Sequence, residues 1–118
     1  MQGFIVKETN TMKGSHLGEF EEMVLLIVGI LNGEAYGIAI LKEIEAHTGR
    51  MVTVSTVHTA LYRLEEKRFV ASEVGGASKA RGGRSKRLYK ITADGRAALE
   101  HARSVRNRLW NMMPGLDQ

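Results

Sequence analysis

The stretch Ser55-Thr56-Val57-His58-Thr59-Ala60-Leu61-Tyr62-Arg63-Leu64-Glu65-Glu66-Lys67 sets the apolar residues Val57, Leu61 and Leu64 at i, i+4 and i+7, one face of a helix. Thr56, Thr59, Tyr62 and Arg63 then form the opposite face, with His58 at its edge, and Ser55 is expected to cap the first turn by accepting an N–H bond. Exposed helix faces favour Glu, Lys, Gln and Ala. A surface of hydroxyls, imidazole, phenol and guanidinium instead suits base edges and phosphates in a DNA major groove. Directly behind it come the apolar run Phe69-Val70-Ala71 and then Gly75-Gly76-Ala77-Ser78-Lys79-Ala80-Arg81-Gly82-Gly83-Arg84-Ser85-Lys86-Arg87. This pattern predicts a hairpin with a long basic tip.

The rest of the chain bounds what such a surface can belong to. Its 118 residues support one domain, and a hydrophobic share of 43% is ordinary for a packed globule. So small a domain has a thin stability margin alone, which favours oligomerisation. The lack of cysteine excludes disulfides and thiolate metal sites and fits a reducing compartment. The longest apolar run, Met23 to Leu31, is far short of the roughly 20 residues of a membrane span, and Met1 to Asn10 has no signal-peptide pattern. A cytoplasmic protein without membrane contact is expected. The net charge of +4 is modest but unevenly spread. Lys79, Arg81, Arg84, Lys86, Arg87 and Lys90 follow one another with no acidic residue between Ala77 and Lys90, whereas Glu19, Glu21 and Glu22 cluster at the front.

In chain order, residues 1–16 show no helical or strand period and read as a flexible arm, with Met12 as an alternative start. Leu17, Phe20, Met23, Val24, Ile27, Ile30 and Leu31 follow helical spacing, and Leu26 and Val28 broaden the stripe until Asn32-Gly33 ends it. Gly29 within this helix costs about 1 kcal/mol relative to alanine and suggests a close helix crossing. A second amphipathic helix is predicted over Ile38 to Thr48, closed by Gly49. Met51-Val52-Thr53-Val54 offers β-branched residues for a very short strand, and Phe69–Val74 with Arg87–Ile91 form the hairpin. Thr92 can cap a last helix whose residues Ala98, Ala102, Val105, Leu109 and Met112 step by a coiled-coil seam, and Pro114-Gly115 stops it. The expected fold is mainly α with a small β-hairpin: a winged helix-turn-helix over residues 17–92 and a long C-terminal dimerisation helix over 93–118.

The chain resembles the PadR family of bacterial transcriptional regulators from about Leu17 to Ala102. The carrying residues are Leu17-Gly18-Glu19-Phe20-Glu21, Tyr36-Gly37, Arg63-Leu64-Glu65-Glu66-Lys67, and Gly82-Gly83-Arg84-Ser85-Lys86-Arg87-Leu88-Tyr89-Lys90-Ile91-Thr92-Ala93-Asp94-Gly95, in this order. The resemblance implies a homodimeric repressor whose third helices enter successive major grooves of a pseudo-palindromic operator. With only one helix after the wing, the chain is similar to the family's short subgroup. The dimer interface is expected at Leu17, Phe20, Ala98, Ala102, Val105, Leu109, Trp110 and Met112. Drug-binding relatives stack flat ligands on a tryptophan in this helix. That place aligns with Arg106 here, and Trp110 lies one turn later, so packing is the expected role of Trp110 and a small hydrophobic or aromatic effector is an open alternative. His58 stands where the family most often has tyrosine, which would make a contact there depend on pH.

Phosphate contacts are expected from Lys79, Arg81, Arg84, Lys86 and Arg87 of the wing, with Ser85 beside them, and from Tyr36 at the start of the second helix. Base readout falls to Thr56, His58, Thr59 and Arg63, flanked by Ser55 and Tyr62. The rival reading is a winged-helix protein-interaction module, against which the acid-free basic loop argues. An enzyme is not expected: His16, His47, His58 and His101 lack metal-ligand spacing, no catalytic frame of serine or paired carboxylates is present, and no cofactor motif appears.

Overall fold

The computed structural model describes residues 16–75 and 86–115. Within them lie helices α1 (Glu19–Leu31), α2 (Gly37–Thr48) and α3 (Val54–Glu66), strands β1 (Val70–Val74) and β2 (Arg87–Ile91), and helix α4 (Ala93–Met112). The two strands pair antiparallel with Val70 opposite Ile91 and Val74 opposite Arg87. Three helices followed by a hairpin and a long terminal helix make the winged helix-turn-helix that the pattern predicted. The flexible arm lies outside the described residues, apart from its last position.

The three short helices converge on one core. Val24, Leu25 and Val28 of α1, Ile40 and Ile44 of α2, and Val57, Leu61 and Leu64 of α3 are fully enclosed, and no polar residue is buried among the described residues. Each such side chain contributes roughly 1.5–3 kcal/mol, so the apolar face of α3 holds that helix in a single rotational setting. Phe69, Val70 and Tyr89 close the core from the hairpin side. Burial raises the Tyr89 phenol above the ordinary tyrosine value, the nearby Glu65 carboxylate adds to the effect, and Arg87 opposes it.

Element boundaries follow local chemistry. Asn32 ends α1 in the left-handed region at φ 30°, and Gly49 ends α2 at φ 73°. Thr92 caps α4 by accepting from the Gly95 N–H at 3.0 Å, and its own hydroxyl donates to the Arg68 carbonyl at 2.8 Å. Arg68 itself turns left-handed at φ 66° between α3 and β1.

The structure corrects three expectations. The cap of α3 is Thr53, whose hydroxyl accepts from the Thr56 N–H at 3.2 Å, so Ser55 already lies in the first turn. No strand forms over Met51–Val54, because Met51 is 87% exposed with no strand beside it and Val54 opens α3. The hairpin's extra pairing comes from Ala35, which forms an antiparallel bridge with Tyr89. Gly29 marks no helix crossing within the chain, since a Cβ there would meet nothing within 4 Å. Within one chain Trp110 is 59% exposed and lines a groove between α1 and α4.

Gly95 is the tight point between the hairpin and α4, where an added Cβ would lie 2.2 Å from the Phe69 carbonyl oxygen. A backbone atom cannot step aside as a side chain can. Gly95→Ala is therefore expected to destabilise the fold by about 1–3 kcal/mol, read as a lower midpoint in thermal or urea unfolding.

Candidate nucleic-acid interface

Because Val57, Leu61 and Leu64 face inward, the other side of α3 is turned to solvent. Ser55, Thr56, His58, Thr59, Tyr62 and Arg63 are all exposed on it. The hydroxyls are partly engaged with their own helix. Thr56 Oγ1 lies 2.9 Å from Thr53 Oγ1, and Thr59 Oγ1 donates to the Ser55 carbonyl at 3.0 Å. Each hydroxyl oxygen still has accepting capacity. Arg63 pairs with no carboxylate among the described residues.

His58 points away from the middle of this surface, toward the start of α2. A Cβ on Gly37 would lie 2.8 Å from its Nε2, so the glycine makes room for the imidazole. The α2 N-terminus has no side-chain cap, and its first N–H groups carry the positive end of the helix dipole. Tyr36 immediately precedes them, with the Lys86 ammonium 4.1 Å from its ring centroid.

The two ends of the basic loop leave the hairpin at Gly75 and Lys86, where the Gly75 N–H donates to the Lys86 carbonyl at 2.6 Å. Lys79, Arg81, Arg84 and Ser85 lie outside the described residues. Arg87 has an internal partner: Nη1 donates to Ser72 Oγ at 2.9 Å, and Ser72 Oγ donates to Glu65 Oε2 at 2.7 Å. That chain ties the hairpin to the end of α3. Sequence reading missed it because its members are separated along the chain and meet only across the strand register.

Charge is managed similarly behind the surface. Glu21 binds Lys67 at 2.7 Å, Glu19 binds Arg50 at 2.7 Å, and Glu22 binds Arg106 at 2.6 Å. Lys67 also donates to the His16 carbonyl. The first-turn acids of α1 are thereby matched, and Val54–Arg63 of α3 carries no carboxylate. Among the described residues no three metal-ligating side chains gather, and no helix is long and apolar enough to cross a membrane.

The expected dimer residues divide into three sets. Leu17, Phe20 and Ala98 pack against the chain's own core, with Arg50 stacked 5.5 Å over the Phe20 ring. Ala102 and Val105 are half-buried, whereas Leu109, Trp110 and Met112 are exposed. A groove of about 480 Å³ runs between α1 and α4, with Leu26, Gly29, Ile30, Leu99 and Trp110 in its wall.

Residues 24–101 match the family described as the transcriptional regulator PadR-like family. The chain belongs to that family. PadR-like proteins are regulators of transcription rather than enzymes, and solved structures repeat the fold. A PadR-like transcription factor from Bacteroides fragilis superposes with a TM-score of 0.69 at 19% identity, over 89% of this chain and 93% of that one. A PadR family transcription regulator from Clostridium difficile R20291 gives 0.67 at 24% identity, over 81% and 95%. PadR of Bacillus subtilis, solved in complex with operator DNA, gives 0.59 at 18% identity over 71% of this chain and 46% of that one. No curated protein matches the chain.

The Gly37–His58 contact is one a flexible ring tip can yield. Gly37→Ala is expected to leave stability within about 1 kcal/mol while moving the His58 ring, seen as shifted imidazole proton resonances. Unmoved resonances would remove the contact.

Proposed function

We propose that this PadR-like protein is a cytoplasmic, sequence-specific DNA-binding repressor that acts as a homodimer on a pseudo-palindromic operator. One observation carries the reading: α3 is held by a fully enclosed apolar face and presents Thr56, Thr59, Tyr62 and the unpaired Arg63 outward, beside a hairpin rooted at Lys86. An exposed helix face of this composition fits the major groove, where arginine can bind guanine through two donors and threonine serves either base pair. Phosphate contacts are assigned to Lys86 and to the wing residues Lys79, Arg81 and Arg84, with Ser85 beside them. Arg87, engaged with Ser72, reaches phosphate only through whichever donors that bond leaves free.

Pairing of two chains is supported by apolar surface that one chain leaves open. Ile30 is 67% exposed and Leu109 57%, next to Trp110 and Met112, on two helices that flank the same groove. Contiguous patches of this kind mark interaction sites, and a dimer would set two reading helices about one DNA turn apart, ~34 Å. The groove is also of a size that holds small ligands. A hydrophobic or aromatic effector entering it would release DNA by altering how α4 meets its partner. Trp110 is the sole tryptophan, so quenching of its fluorescence reads such entry directly.

Three measurements test the two halves of the proposal. Arg81→Ala with Arg84→Ala is expected to weaken binding to all duplexes and to lower the log–log salt slope by roughly 0.9 per lost contact. Arg63→Ala is expected to cost about 1–3 kcal/mol on the operator alone. Equal losses on specific and random duplexes would take Arg63 out of base readout. Ile30→Glu with Leu109→Glu is expected to turn a dimer into a folded monomer in sedimentation velocity, and a wild-type chain that sediments as a monomer at micromolar concentration would refute the pairing.

A further inference from the structure

The segment that enters α2 is joined to the root of the wing at two adjacent points. The Tyr89 N–H donates to the Ala35 carbonyl at 2.9 Å, and the next residue, Tyr36, carries the ring beneath the Lys86 ammonium. The Lys86 backbone is held in turn by the bond from Gly75. Main chain and side-chain tip of this lysine are therefore both fixed, although the residue is exposed. An ammonium over an aromatic face is attracted by the ring's quadrupole, to which the phenol hydroxyl is incidental.

We infer that Tyr36 is a positioning residue of the DNA interface: its ring holds the Lys86 ammonium beside the N-terminus of α2. The inference rests on the DNA-binding reading and deepens it. A free lysine loses much of its rotamer freedom when it settles on a phosphate, whereas one already seated on a ring has lost part of it on folding. Three N–H donors on the ammonium leave some directed outward while the ring is in contact. The wing root and the helix-turn-helix thus present their charges in one fixed relation.

The test is salt-dependent anisotropy of the full chain on a mixed-sequence duplex, comparing Tyr36→Phe, Tyr36→Leu, Lys86→Ala and the double variant Tyr36→Leu/Lys86→Ala. Tyr36→Phe is expected to bind as the wild type does, and Tyr36→Leu roughly two- to fivefold more weakly. Tyr36→Leu should add nothing once Lys86 is alanine. Phenylalanine as weak as leucine would assign the effect to a direct hydroxyl contact, and losses that multiply would make the residues independent; either result overturns the positioning role. Should Tyr36→Leu fail to fold, the wild-type Lys86 side-chain protons decide: upfield ring-current shifts support the stack and random-coil shifts overturn it. A wild-type chain that ignores duplexes at low salt would overturn the DNA-binding reading itself. That outcome is distinct from one in which the wild type binds and the variants show no coupling.

Discussion

The enclosure of Val57, Leu61 and Leu64 against α1 and α2 constrains everything else in this molecule, because turning α3 about its axis would expose these three side chains and bury Tyr62 or Arg63 in their place. Losing one apolar residue to water costs a sizeable part of a small domain's net stability, typically about 5–15 kcal/mol in total. Burying an unpaired guanidinium would cost more again. The outward set of hydroxyls, phenol and guanidinium is thus a consequence of core packing. What those groups recognise is a separate chemical property, superimposed on a helix whose orientation is already settled.

The ion pairs have a different role. Glu19, Glu21 and Glu22 favour the N-terminus of α1 through the helix dipole, yet left unmatched they would place negative potential close to α3. Arg50, Lys67 and Arg106 arrive from three other parts of the chain to match them. Exposed pairs such as Glu19–Arg50 add little to stability. Glu21–Lys67, more sheltered, fastens the end of α3 to the start of α1. The result leaves Arg63 as the cation of α3 without a carboxylate partner among the described residues.

Helix α4 belongs to the domain for its first turns and departs from it afterwards. Gly95, Ala98 and Leu99 lie against the hairpin and core, and beyond Val105 the apolar residues have no cover. A helix of 20 residues spans ~30 Å, more than the small body beneath it can enclose. Trp110 of its free half and the uncovered Leu26 and Ile30 of α1 line one groove, whose wall also carries Glu22, Arg103 and Arg106.

Local chemistry in the sequence determined the helices, the hairpin strands, the left-handed closures at Asn32 and Gly49 and the Thr92 cap, because each depends on periodicity or on residues within a turn of one another. It also marked the outward face of α3, since the three inward positions of that helix are legible from spacing alone. It misplaced the start of α3: Ser55 has the chemistry of a cap, but Thr53 holds that position through its bond from the Thr56 N–H. Tertiary structure alone decided that Ala35 pairs with β2, that His58 turns to Gly37, that Lys86 sits on Tyr36 and that Gly29 and Trp110 line an open groove. Those outcomes depend on contacts between residues distant in sequence, whose distances are set by how the helices pack and by the register of one strand against another, and no periodicity encodes them.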